Sequence, residues 1–267
     1  MKKNIIKDTG VEVTELSFGT SSLGSMPDTY GYEVPEQRAQ ETLKRFFQGP
    51  VNMLDTSRNY AMGESEKRIG MAIKENGGWP EKFVLSTKID RNMDTLVLDK
   101  KRTRESVEES LKALNVDSVD VLFLHDPEYV KDINDVTKKD GALDELFKIK
   151  EEGLAKAVGL AMGRIDIMFP ILRKWDFDVI INHNRYTLLN READEMYSYA
   201  YSKNISIFNA APYAGGVLAK GPSNFKKITY QDATEEKLAP AREIEKVCKK
   251  YNVEMGAAAL QFSMKDK

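Results

Sequence analysis

Short apolar runs alternate along this chain with longer amphipathic stretches, and the alternation runs nearly end to end. Residues 4–15 alternate in polarity around Asp8-Thr9-Gly10, turn chemistry that predicts a β-hairpin. A first strand is expected over 15–19, and a helix over 35–47, with proline in its first turn and Gly49-Pro50 beyond its end. Strands are then expected over 51–54, 83–87, 119–124, 155–160, 178–182 and 205–210. Between and after them lie predicted helices over 64–75, 103–115, 141–152, 165–174, 190–203 and 235–251. The helical period is plain in Val107, Leu111 and Leu114, spaced i, i+4, i+7. Residues 255–267 read as one more helix.

Apolar strands alternating with amphipathic helices predict a parallel sheet covered by helices. No Gly-x-Gly-x-x-Gly follows any strand, which favours a (β/α)8 TIM-barrel type of α/β fold over a Rossmann sheet. Only seven barrel strands can be placed. The expectation is therefore a barrel with an N-terminal β-hairpin that lacks its eighth strand and final helix. No linker, low-complexity tract or strong repeat divides residues 1–267, so one domain is expected.

Three predicted strands end on residues that handle protons. Val51-Asn52-Met53-Leu54-Asp55 is followed by Tyr60; Phe83-Val84-Leu85-Ser86-Thr87 leads to Lys88; Val121-Leu122-Phe123-Leu124 leads to His125. Singly, each has a bland reading: Asp55 as a loop cap, Tyr60 as packing, Lys88 as a solvated charge, His125 as a structural histidine. Together, at one end of successive parallel strands, they read as an active site. An ammonium beside a phenol stabilises phenolate, so Lys88 is expected to lower the Tyr60 pKa from its reference of ~10 and fit it for general acid–base work. Asp55 would pair with Lys88, and His125 would hydrogen-bond a substrate oxygen.

Composition narrows the picture further. A formal charge of −2 with charges of both signs implies no nucleic-acid surface. Cys248 is the single cysteine, so no intrachain disulfide forms, and with two histidines an N/S-ligated metal is not expected. No secretory signal and no apolar run of membrane length occurs, so a cytoplasmic protein acting on a small molecule, as a monomer or weak homo-oligomer, is expected. Gly19-Thr20-Ser21 after the first strand would let backbone approach a ligand. Residues 212–218, with Gly215-Gly216, would either wrap a pyrophosphate or simply make a tight turn.

Asp55-Thr56-Ser57-Arg58-Asn59-Tyr60 followed by Gly63-Glu64-Ser65-Glu66 resembles the Asp-Thr-Ala-x-x-Tyr-Gly-x-Ser-Glu signature of the aldo-keto reductase superfamily. Ser86-Thr87-Lys88 resembles its lysine strand and Leu122-Phe123-Leu124-His125 its histidine strand. The resemblance implies an NAD- or NADP-dependent oxidoreductase with Tyr60 as proton carrier, supported by Asp55, Lys88 and His125. Cofactor contacts are implied at Gly19, Thr20, Ser21, Asp55, His183, Ala211, Pro212, Tyr213, Gly215, Gly216 and Leu218; for His183, core hydrogen bonding is the competing reading. A narrower resemblance, carried by residues 182–191 and 209–222, is to the aldose dehydrogenase branch, which oxidises sugars such as L-fucose, D-arabinose and L-galactose, with relatives that oxidise pyridoxal. The implied reaction takes a sugar to its lactone, in a pocket helped by Arg58, Asn59, Tyr186 and Tyr213. The alternatives are a general NADPH-dependent aldehyde or ketone reductase, and a catalytically silent barrel that only binds. Two departures stand out: Gly159-Leu160-Ala161-Met162 where the family often has Ser-Asn, and His183 where it often has glutamine. The chain also stops where the family normally continues into strand eight and the segment that grips the adenosine end.

Overall fold

The computed structural model describes residues 1–265. A hairpin of β1 (Lys3–Ile5) and β2 (Glu12–Thr14) comes first, as expected. Seven parallel strands follow in sequence order: β3 (Phe18–Gly19), β4 (Met53–Asp55), β5 (Val84–Ile89), β6 (Val119–His125), β7 (Ala155–Met162), β8 (Val179–His183) and β9 (Ser206–Ala210). Each neighbour in the sheet is its neighbour in sequence, the simplest outcome of repeated βα units. Among the described residues β3 and β9 do not pair, so the sheet is open between them.

The helices are α1 (Pro27–Tyr30), α2 (Glu36–Gln48), α3 (Glu64–Glu75), α4 (Lys100–Leu114), α5 (Ile133–Thr137), α6 (Ala142–Glu151), α7 (Ile165–Leu172), α8 (Asp194–Ser202), α9 (Val217–Lys220), α10 (Glu235–Lys250) and α11 (Met255–Ser263). None is long and apolar enough to cross a membrane. The short helices α1, α5 and α9, and a second hairpin of β10 (Lys227–Ile228) and β11 (Gln231–Asp232), carry too little periodicity to be legible in sequence. The first strand shrinks from the expected 15–19 to two residues. α8 starts at Asp194 rather than near 190 because Thr187 Oγ1 accepts the N–H groups of Leu189 and Asn190 at 3.1 Å each, holding a turn there.

Strand alternation decides what faces the interior. Met53, Val84, Val121, Phe123, Ala157, Val179 and Ile181 pack there, plugged by Ile6, Val11 and Val13 of the first hairpin. Leu54, Leu85, Leu122 and Leu124 face outward into the larger core beneath the helices. Gly159 has to be bare: a Cβ would lie 2.3 Å from Val179 O and 2.6 Å from the Phe123 ring. Continuing each inward row by two residues toward the strand C-termini gives Asp55 after Met53, Ser86 and Lys88 after Val84, His125 after Phe123, and His183 after Ile181. The interior thus changes from apolar to ionisable at one end.

Candidate active site

Register sets Asp55 beside Ser86, whose Oγ donates to Asp55 Oδ1 at 2.9 Å. Lys88 Nζ lies 2.7 Å from Asp55 Oδ2, 2.6 Å from Thr56 O and 3.2 Å from Tyr60 Oη. An ammonium has three donors and no acceptor, so these three oxygens use all of them. Tyr60 Oη therefore accepts from Lys88, leaving its own O–H for another partner. The backbone just after Tyr60 is unusual: Ala61, Met62 and Gly63 have φ of 51°, 55° and 95°. Left-handed backbone costs a non-glycine residue roughly 1–2 kcal/mol, and such positions cluster at functional sites.

Burial pushes the Tyr60 phenol above its ordinary value, against the pull of the Lys88 ammonium. The expectation of a lowered pKa is thus corrected. Lys88 acts in the expected direction, but in the protein by itself the loss of water around the phenol outweighs it. Lys88 is also raised: burial works against its charge, and Asp55 and then Tyr60 more than offset that. The resting pair is a neutral phenol beside a charged ammonium.

His125 ends β6 with its ring edge-on to Tyr60, centroids 5.9 Å apart. Its Nδ1 is 2.8 Å from Oδ1 of Asp90, and 3.2 Å from Ser57 Oγ. Asp126 Oδ1 stands 3.6 Å from His125 Nε2 and 3.9 Å from His183 Nε2. Burial would raise the Asp126 carboxyl, but His125, His183 and Arg91 hold it below the ordinary range. Sequence reading missed Asp90 and Asp126, although each sits at a strand end beside a chosen residue. Asp90 follows Lys88 by two, and that parity was the available signal.

The signature glutamate Glu66 is enclosed between α3, β5 and α4, and Thr87 Oγ1 donates to it at 2.6 Å. Burial pushes its carboxyl up to about 7, opposed by the Thr87 and Ser110 hydroxyls. The folded state therefore keeps this proton to higher pH than the unfolded chain does. The associated stability is full below the unfolded value and is lost as pH rises through about 7. Glu66→Gln is expected to change the melting temperature little near pH ~4.5 and to stabilise the fold by roughly 3 kcal/mol at pH ~8.5. A variant with the same deficit or gain at both pH values would show that this carboxyl does not titrate with folding.

The other expected site residues divide. Gly19 pairs with Asp55, and a Cβ on it would meet nothing within 4 Å, so the space above β3 is open. Thr20 is buried and its Oγ1 donates to Asp55 O at 2.9 Å, while Ser21 Oγ bonds the Tyr30 hydroxyl. His183 is half-buried at the end of β8, over Gly163, where a Cβ would come within 2.6 Å of its ring. Ala211 and Pro212 follow β9. Tyr213 and Leu218 pack into a small core with Leu238 and Ala241, Leu218 fully buried. The bareness of Gly215 and Gly216 is used by the chain itself: added Cβ atoms would lie 2.7 Å from Tyr230 N and 3.1 Å from the Phe225 ring. Two expected sugar-pocket residues are elsewhere. Arg58 turns to Glu109 on α4 at 3.0 Å, and Tyr186 stacks on Phe262 in the core, centroids 5.0 Å apart. Each found a better partner than solvent: a carboxylate for the guanidinium, a ring for the ring. Asn59 remains beside the site, its N–H donating to Asp90 Oδ2 at 2.9 Å.

The sequence model of the aldo/keto reductase family matches residues 15–267. L-galactose dehydrogenase of Arabidopsis thaliana is 29% identical over 272 residues, covering 97% of this chain and 79% of its own length. D-threo-aldose 1-dehydrogenase of a Pseudomonas species is 27% identical, covering 96% and 83%. Among solved structures, the holo form of an aldo-keto reductase from Bacillus halodurans superposes with a TM-score of 0.75 at 23% identity, over 98% of this chain and 81% of that one.

Proposed function

Because this chain belongs to the aldo/keto reductase family of oxidoreductases, we propose that it moves hydride between a nicotinamide cofactor and C1 of an aldose, giving a lactone in the oxidative direction. The observation that carries this reading is the Lys88 ammonium donating to Tyr60 Oη at 3.2 Å within the ionisable end of the sheet. The choice of an aldose over a plain aldehyde rests on the two sugar dehydrogenases among its relatives.

Hydride exchange is the chemistry the bound nicotinamide supplies; the protein has to manage the proton on the substrate oxygen. Tyr60 does so. Its O–H, released from Lys88 by the direction of that bond, gives its proton to a carbonyl oxygen during reduction. For oxidation Tyr60 first releases its proton to solvent; the phenolate, stabilised by the Lys88 ammonium, then takes the proton of the sugar hydroxyl. Asp55, held by Ser86, keeps Lys88 in place. The inward row at the end of β8 supports a carboxamide-bearing ligand: His183 stands there half-buried over the bare Gly163, with a ring nitrogen able to hydrogen-bond an amide. Either NAD or NADP fits this chemistry.

The experiment is a panel. Residues 1–267 are mixed with NAD⁺ or NADP⁺ and L-galactose, L-fucose or D-arabinose, and absorbance of the reduced cofactor is followed. Sugar-dependent reduction is expected. Silence on every sugar, with NADPH consumed by simple aldehydes, would favour the general reductase. Absence of dinucleotide binding by either form would sink both.

A further inference from the structure

Asp90 has no part in the chain from Asp55 through Lys88 to Tyr60, yet it is buried to 2% exposure directly behind His125. Its backbone is bolted down at both ends: Ser106 Oγ accepts its N–H at 2.9 Å, and Arg102 Nε donates to its carbonyl at 3.1 Å. The two carboxylate oxygens have separate duties. Oδ2 accepts the Ser57 hydroxyl at 2.6 Å and the Asn59 N–H at 2.9 Å. Among the described residues Oδ1 has only His125 Nδ1, at 2.8 Å. A carboxylate accepts and does not donate, so Nδ1 has to carry the hydrogen, and the Ser57 proton is already committed to Oδ2.

We propose that Asp90 is a positioning residue for His125: it fixes the proton on Nδ1, so that Nε2 is the nitrogen left to accept from, or once protonated donate to, the reacting oxygen. His125 thereby becomes a second proton-handling group beside Tyr60. This rests on the reading of His125 as part of the active site. The same logic sets the tautomer in Ser-His-Asp hydrolases, where Asp→Asn keeps the geometry and inverts the imidazole.

The charged surroundings of the ring favour its cationic form. Burial opposes it, as does Lys88 on β5; Asp90 behind Nδ1 and Asp126 beyond Nε2 outweigh them, leaving His125 above the ordinary histidine value. Tyr60 faces the ring as a neutral phenol, and His183 and Arg91 bear on Asp126. Of the two carboxylates, only Asp90 makes a hydrogen bond to the ring.

The chain contains two histidines, so imidazole ¹⁵N NMR reads His125 directly once His183→Gln has assigned the other. In the wild type, neutral His125 is expected as the Nδ1–H tautomer, titrating above the ordinary value. In Asp90→Asn, Ser57 and Asn59 keep the amide oxygen, so the amide N–H₂ turns to Nδ1. The tautomer should invert to Nε2–H, and the midpoint should fall by about 1 pH unit or more. The kcat for aldose oxidation should drop at least about tenfold, with its acidic limb moving down in step with the midpoint. A wild-type His125 already in the Nε2–H form, or an unmoved midpoint in the variant, overturns the proposal; the wild-type spectrum decides even if the variant does not fold. Expected spectra without turnover by either protein would count against the aldose reaction and leave the dyad standing. Turnover with an unchanged limb in the variant would do the reverse.

Discussion

Tyr60→Phe should lower kcat for aldose oxidation by about 10²–10⁴-fold while leaving dinucleotide affinity within about twofold. The side chain keeps its ring, so the edge-on contact with His125 persists. What disappears is the oxygen that accepts from Lys88 and that we propose exchanges a proton with the substrate. The ammonium is then left with Asp55 and Thr56 O, which hold its charge. Steady-state rates with cofactor titration separate the two effects. A loss smaller than about tenfold would move the proton-carrying role to another group, with His125 the first to test.

Lys88→Met is expected to be the more damaging change, because it acts on the fold as well as the reaction. The side chain is 2% exposed and paired at 2.7 Å with an Asp55 side chain that is 16% exposed. Removing the cation strands a largely buried carboxylate with the Ser86 hydroxyl as its remaining donor, and breaking buried pairs in this way costs about 3–5 kcal/mol. Activity should fall by at least ~10³-fold, since the phenolate form of Tyr60 loses its counter-charge. Calorimetry and rates on Lys88→Met, Asp55→Asn and the double variant make the check. The double variant should regain part of the lost stability but none of the rate. The raised Lys88 value gives the pH window: its stabilisation is complete below the ordinary lysine value and disappears only as pH rises through the higher folded one, so the melting deficit should be flat through neutrality. An undiminished melting temperature in the single variant would mean that the pair does not hold the site together.

Much of this was legible in the order of residues, and the parts that were not share a cause. Helix 64–75 and the strand through 119–124 emerge almost as expected because the first is a long amphipathic stretch and the second a long, nearly uninterrupted apolar run. α5 and the hairpin of β10 and β11 were invisible because elements of two to five residues are selected by what they pack on, such as Tyr230 against Tyr30. Arg58 lies inside the motif that marks the site, and its backbone is where the motif implies. Its guanidinium leaves for Glu109, a residue one helix away that no local pattern connects to it.

The lowered Tyr60 value failed for a related reason. A neighbour's charge can be inferred from types and spacing, but the amount of water a fold removes cannot, and here burial is the larger effect. What the amino-acid order determined by itself was the run of βα units and, through the two-residue alternation of each strand, the delivery of Asp55, Lys88 and His125 to one end of one interior. Only the tertiary structure decided which way each proton and charge faces: Lys88 spending a donor on Tyr60, burial keeping that phenol protonated, and Asp90 closing behind His125. Those outcomes depend on distances of about 3 Å between strands and on the exclusion of solvent, and both exist only once the sheet has assembled.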